Sequence, residues 1–213
     1  MSRIISVKAV VDTVCPWCFI GKRRLEKAVS QVKQNHPEVQ FQIKWLPFQL
    51  EPDFGEPEPK LQFYNKRFGE AKFTQRRPII TAAANSEGID IKFTGVYANT
   101  FDSHRLIWWA DQFGKQDQTV EQVMKLYFEI NGNLADPEQL AGAAEKAGLD
   151  KQKALEFLQS QQGVAEVKNL ILQNALGQIS GVPHFTINNR YVVSGAQEPE
   201  TLAAAFEEIL KEE

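Results

Sequence analysis

Two cysteines fall within four residues of each other, in the run Cys15-Pro16-Trp17-Cys18. A thiolate is a nucleophile and a metal ligand, so a pair at this spacing points to disulfide exchange or to half of a zinc site. The run sits where a predicted strand passes into a predicted helix, which favours exchange. Cys15 would occupy the helix N-terminus, where unpaired N–H groups and the helix dipole favour an anion. Pro16 suits the first turn, because its missing N–H would have been orphaned there anyway. Cys18, one turn deeper, is placed to resolve a mixed disulfide formed at Cys15. His104 and His184 would have to complete a zinc site, and their distances along the chain fit no compact zinc module. Metal is therefore not expected.

Composition narrows the classes that remain. The chain has 213 residues, with 24 Lys+Arg against 27 Asp+Glu and a formal net charge of -3, which argues against a basic nucleic-acid binder. Two cysteines are too few for a disulfide-rich secreted scaffold. A chain of this length buries about 70% of the surface its unfolded form exposes, so it needs no covalent staple. Lys8 and Asp12 interrupt the apolar run that a signal peptide needs, and no stretch approaches the roughly 18 apolar residues of a membrane span. The expectation is a cytoplasmic protein with neither nucleic-acid nor membrane partners. In that compartment a CxxC pair is catalytic or metal-binding rather than a permanent bridge.

The elements around the pair follow from periodicity. Residues 3–12 read as a strand buried on both faces, and about 16–34 as an amphipathic helix ended by Asn35-His36-Pro37. Residues 39–46 alternate cleanly, with Val39, Phe41, Ile43 and Trp45 on one side, so the opening is β-α-β. Residues 47–60 carry four prolines and read as an irregular connection. From there to about 178 the pattern is helical with no strand, in segments 60–87, 101–114, 117–131, 136–147, 151–160 and 162–177. Asp136-Pro137 and Asp150 are N-cap signals, and Gly148 is a stop. Residues 184–188 and 190–194 read as strands around a turn at Asn188-Asn189, and 197–211 as a closing helix.

These motifs resemble the DsbA-like thioredoxin-fold family. DxxCPWC near the start, the segment from Asn99 to Leu106 (N-T-x-x-x-H-R-L) and Gly181-Val182-Pro183-His184-Phe185 carry the likeness, which spans nearly the whole chain. It is greatest to the FrnE-type branch, whose relatives include 2-hydroxychromene-2-carboxylate isomerases and kappa-class glutathione transferases. The resemblance implies an α/β thioredoxin fold, residues 1–46 and 179–213, interrupted by an all-helical insertion at 47–178. It makes Cys15 the nucleophile, Cys18 the resolving residue and Pro183 a cis-proline facing them, with Val182 offering its backbone to a substrate. Pro16, Trp17, Asp12, His104 and His184 are supporting candidates; Asp12 has an equally good structural role as a turn carboxylate, and a histidine such as His104 is more often a satisfied structural one.

The isomerase relatives carry serine at the first cysteine position, so two cysteines here argue for redox turnover. Trp17 is uncharged, unlike the histidine of strongly oxidising DsbA enzymes, which implies a more reducing pair. The expected activity is thiol–disulfide exchange on protein or small-molecule disulfides. It needs no organic cofactor, and glutathione enters as a co-substrate. The alternatives are a glutathione-dependent isomerase or transferase, and a non-catalytic chaperone-like or zinc-holding module. Monomer and homodimer are equally compatible with the sequence.

Overall fold

The computed structural model describes residues 3–177, 179 and 181–212. Strand β1 (Ile4–Val11) leads into the 20-residue helix α1 (Pro16–Asn35) and then strand β2 (Gln40–Pro47), which lies parallel to β1. After a long helical block come β5 (His184–Ile187), β6 (Tyr191–Ser194) and helix α9 (Pro199–Glu212). The sheet order is β2-β1-β5-β6, with β5 antiparallel to both of its neighbours. The β5–β6 turn has Asn188 and Asn189 at φ 48° and 54°, the left-handed region that Asn tolerates well.

Register decides which sheet face is core. Val7 and Ala9 pair with Ile187 and Phe185 on one side and with Ile43 and Trp45 on the other, so all six side chains share a face. Helices α1 and α9 cover it, and the Phe41 and Phe206 rings meet edge to face at 5.0 Å. The opposite face is only part-covered. Ile4 and Lys8 are exposed there, whereas Val10 near the end of β1 is buried. The expectation of a strand buried on both faces therefore holds for the C-terminal half of β1, the half that delivers the cysteines.

The block between β2 and β5 differs from its sequence reading in two respects. Helix 60–87 is two helices, α2 (Lys60–Phe68) and α3 (Glu70–Ser86), because Gly69 takes φ 81° and breaks the backbone ladder. A two-residue ladder also joins β3 (Glu58–Pro59) to β4 (Val96–Tyr97), where no strand is expected. Strands this short carry no periodicity; tertiary packing around Tyr97 creates them. The remaining helices are α4 (Phe101–Asp111), α5 (Gln116–Phe128), α6 (Pro137–Lys146), α7 (Lys151–Gln159) and α8 (Val164–Leu176). Asp136 accepts from the N–H groups of Glu138 and Gln139, and Asp150 from that of Lys153, as their sequence context implies. Among the described residues no helix is long and apolar enough to cross a membrane.

Helix α2 begins on a buried cation. The Lys60 ammonium donates to the main-chain oxygen of Tyr127 and lies 3.6 Å from the centroid of that ring, with no carboxylate partner among the described residues. Burial lowers its pKa to about 7. Below pH 7 the folded and unfolded chains both hold this proton, and the folded chain bears the full desolvation penalty. Between about 7 and 10.5 only the unfolded chain holds it, so stability rises with pH across that window. The slope from this group is at most about 1.4 kcal/mol per pH unit. Chemical denaturation of wild type and Lys60→Met between pH 7 and 9.5 is expected to show a flatter stability profile for the variant.

Candidate active site

Cys15 caps α1 with φ −86° and ψ 116°, and uses no side-chain hydrogen bond to do so. Its N–H donates to the Asp12 carbonyl at 3.1 Å, and the Cys18 N–H donates to the Cys15 carbonyl at 3.0 Å. The turn thus brings both thiols, which are free, to one end of the helix. They are not equivalent. Cys15 is 6% exposed and Cys18 0%, so only the first can be reached from outside. Burial pushes the Cys18 thiol well above its ordinary pKa, and its hydrogen bond with Cys15 adds to the shift. Cys18 is a protonated thiol at neutral pH.

The loop before β5 closes the site from the other side. The Val182–Pro183 peptide is cis, and the Cys15 thiol lies 3.7 Å from the Val182 carbonyl, which accepts from it. The Pro183 carbonyl accepts from the Gly195 N–H at 2.9 Å, which ties this loop to the end of β6. Gly21, in the second turn of α1, makes the close approach feasible. A Cβ there would lie 2.9 Å from Pro183 Cγ and 3.4 Å from Phe185 Cζ.

Beneath the cysteines lies a buried polar group. Asp12 is fully buried; one carboxylate oxygen accepts from the Leu50 N–H at 2.8 Å and the other lies 3.2 Å from His104 Nε2. Next to it the Thr13 and Ser103 hydroxyls hydrogen-bond at 2.8 Å. The N-T-x-x-x-H-R-L segment turns out to be a set of ties. Asn99 donates to the carbonyls of Pro52 and Phe54, His104 meets Asp12, and Arg105 donates to carbonyls of Phe157, Leu158, Ser160 and Gln162. His184 stands apart. It pairs across the sheet with Val10, forms no side-chain hydrogen bond among the described residues, and burial lowers its pKa, which keeps the ring neutral. The two histidines and two cysteines do not form one ligand set, and no group of three or more metal-ligating side chains occurs among the described residues.

Cys15, Pro16 and Trp17 form one wall of a cavity of about 400 Å³. The opposite walls come from α2, α3, β4 and the connection between the last two, and are largely aromatic, with Phe63, Tyr64, Phe73, Phe93 and Tyr97. Tyr97 stacks on Phe63 with centroids 3.5 Å apart, and Tyr64 on Phe73 at 5.0 Å. The Tyr64 and Tyr127 hydroxyls hydrogen-bond to each other at 3.1 Å, while that of Tyr97 has no partner among the described residues. At the rim stand Leu50, Phe68 and Ile79, all exposed, with Arg67 paired to Glu51 and Arg76 lacking a carboxylate partner among the described residues. The α2 aromatics do pack, yet one side of the cluster is left open beside Cys15, and Arg76 reaches the opening.

The model of the DsbA-like thioredoxin domain matches residues 6–207, almost the full chain. The protein belongs to the DsbA-like thioredoxin family. A solved structure of a probable DsbA oxidoreductase from Streptomyces coelicolor superposes with a TM-score of 0.88 at 26% identity, covering 98% of this chain and 91% of that one. A 2-hydroxychromene-2-carboxylate isomerase gives 0.70 at 14% identity, with 97% of each chain covered. The cytosolic disulfide reductase DsbM from Pseudomonas aeruginosa gives 0.67 at 15% identity, covering 98% and 100%, and has also been solved with glutathione. The last two likenesses are of fold.

In this DsbA-like protein the Gly21 contact yields a prediction of unusual sign. Replacing an ordinary helical glycine by alanine stabilises by about 0.5–1 kcal/mol. Here the added methyl meets Pro183, and overpacking of this kind costs about 1–3 kcal/mol. Gly21→Ala is expected to lower the midpoint of chemical denaturation and slow alkylation of Cys15 relative to wild type.

Proposed function

We propose that this protein is a thiol–disulfide oxidoreductase in which Cys15 attacks and Cys18 resolves. The observation that carries the reading is the asymmetry of the two thiols: one reachable at the α1 N-terminus against the Val182 carbonyl, the other sealed and protonated directly behind it. The Cys15 thiolate forms a bond to one sulfur of the substrate disulfide, the S–S bond breaks, and its electron pair leaves with the other sulfur as a thiolate. Cys18 then loses its proton and attacks the Cys15 sulfur. This releases the second substrate thiolate and leaves Cys15 and Cys18 joined. The substrate gains two electrons and the dithiol gives them up. Two equivalents of a low-molecular-weight thiol, glutathione being the obvious one in a cytoplasmic setting, restore the pair.

Asp12 is the group placed to help Cys18 lose its proton. Its charge acts on Cys18, and its carboxylate is fixed by Leu50 and His104 rather than free to rotate. Pro16 and Trp17 present the surface beside Cys15, while Val182 and Pro183 face it. We assign His184 no step. Absence of a charged residue between the cysteines, together with the reducing compartment, favours the reductive direction.

Cys15→Ser is expected to abolish glutathione-supported reduction of disulfides. Cys18→Ala is expected to retain the first attack and accumulate a substrate adduct on Cys15, visible as a mass increase that dithiothreitol removes. Turnover by Cys18→Ala at the wild-type rate would instead favour the monothiol isomerase or transferase chemistry. Asp12→Asn should lower the rate of adduct release more than the rate of adduct formation, measured by rapid mixing with a chromogenic disulfide.

A further inference from the structure

Resting on the reading of Cys15 as an attacking thiolate, the cavity specifies what it attacks. Three observations bear on this. The volume of about 400 Å³ suits a small molecule, and its aromatic walls suit an apolar, ring-sized body. The Tyr97 side chain is 3% exposed and lines this space, yet its hydroxyl has no hydrogen-bond partner among the described residues. The hydroxyl oxygen is not itself sealed; it opens on the cavity, where a ligand acceptor can meet it. Arg76 stands at the rim as a cation with no carboxylate partner among the described residues, and its guanidinium lies 5.8 Å from the Phe68 ring.

Burial holds the Tyr97 hydroxyl in its protonated form, and the negative charges of Asp12, Glu51 and Cys15 act in the same direction. It is therefore a donor throughout the physiological range, and it faces the charges that surround the reacting sulfur. A donor against apolar walls stabilises developing negative charge more than it would in bulk water. Tyr64 does not compete for this role, because its hydroxyl is already engaged with Tyr127.

We propose that the substrate is a small mixed disulfide with one apolar, aryl-sized half and one anionic half, and that Tyr97 is a catalytic hydrogen-bond donor to the sulfur that departs. The apolar half lies in the cavity and the anionic half at Arg76. The Cys15 thiolate bonds to the sulfur of the anionic half. The S–S bond breaks, and its electron pair goes to the sulfur of the apolar half, which leaves as a thiolate hydrogen-bonded to Tyr97 and takes its proton from water. Cys18 then releases the anionic thiol as already described, and low-molecular-weight thiol reduces the pair.

The test compares kcat/KM for 3-(benzyldisulfanyl)propanoate with that for bis(2-hydroxyethyl) disulfide, which has neither an apolar body nor a charge. Wild type is expected to prefer the first. Tyr97→Phe keeps the ring and its stacking on Phe63, and is expected to lower the ratio of the two constants by about tenfold, the effect of one lost hydrogen bond to a charged atom. Arg76→Gln should lower the preference for the propanoate over its methyl ester by several-fold. An unchanged ratio in Tyr97→Phe overturns the proposal. So does a wild-type preference for insulin disulfides over the propanoate, which would indicate a peptide-binding surface. Reduction of both small disulfides with equal constants defeats the cavity assignment alone. If neither they nor insulin is reduced, the oxidoreductase reading itself fails.

Discussion

The buried carboxylate of Asp12 joins three parts of the chain that are far apart in sequence. Its main-chain carbonyl receives the Cys15 N–H, one carboxylate oxygen receives the Leu50 N–H, and the other meets His104 on α4. The redox turn, the start of the long insertion and a helix in the middle of that insertion thus converge on one residue at the end of β1. A carboxylate in this position is costly unless every lone pair is used, which is why its partners have so little freedom. The Asn99 and Arg105 contacts extend the same logic outward, fixing the 52–54 loop and the passage from α7 to α8. Through His104 it ties α4 to the end of β1, and through Leu50 it ties down one residue of the cavity rim.

A single side chain therefore serves both stability and chemistry, and the two roles pull the thiols apart. Cys18 sits next to a negative charge and away from water, conditions that hold its proton on. Cys15 sits one turn earlier, at the end of the helix where N–H groups point outward, beside a cavity open to incoming molecules. Placing the same residue type on successive turns at a helix start is enough to produce this difference. On the proposed mechanism this difference separates attacker from resolver. Only the approach of the Pro183 loop has to be accommodated, and the lack of a side chain at Gly21 provides the space.

Much of this was legible in the sequence, and the reason is locality. The CPWC run, the alternation of β2, the Asn188-Asn189 turn and the aspartate caps at 136 and 150 each express a preference settled within a few residues. The DsbA-like motifs added Pro183 and the Asn99–Leu106 segment, whose residues are scattered until the fold assembles them. The break at Gly69 was less legible, since a glycine within a helical pattern is often tolerated and only its φ of 81° shows that it ends α2. Strands β3 and β4 left no trace, because two residues have no period. Gly21 could not be singled out either: its importance lies in a contact with a residue more than 160 positions away.

The cavity was hidden for a different reason. Phe63, Tyr64, Phe73, Phe93 and Tyr97 have the composition of a core, and in most of their contacts they are one. Composition cannot report that the cluster stops short of Cys15 and leaves a space of about 400 Å³. What distinguishes a pocket wall from a core is the fate of its polar atoms. Tyr64 and Tyr127 satisfy each other, as core tyrosines must, whereas the Tyr97 hydroxyl has no partner among the described residues and opens on the cavity. In a packed interior that hydroxyl would carry an uncompensated desolvation penalty, and phenylalanine would serve better. Its presence makes sense if the space it borders is used by a molecule with an acceptor to offer, and the helical block then does more than shield the cysteines. On the proposed reading it decides which disulfides reach them.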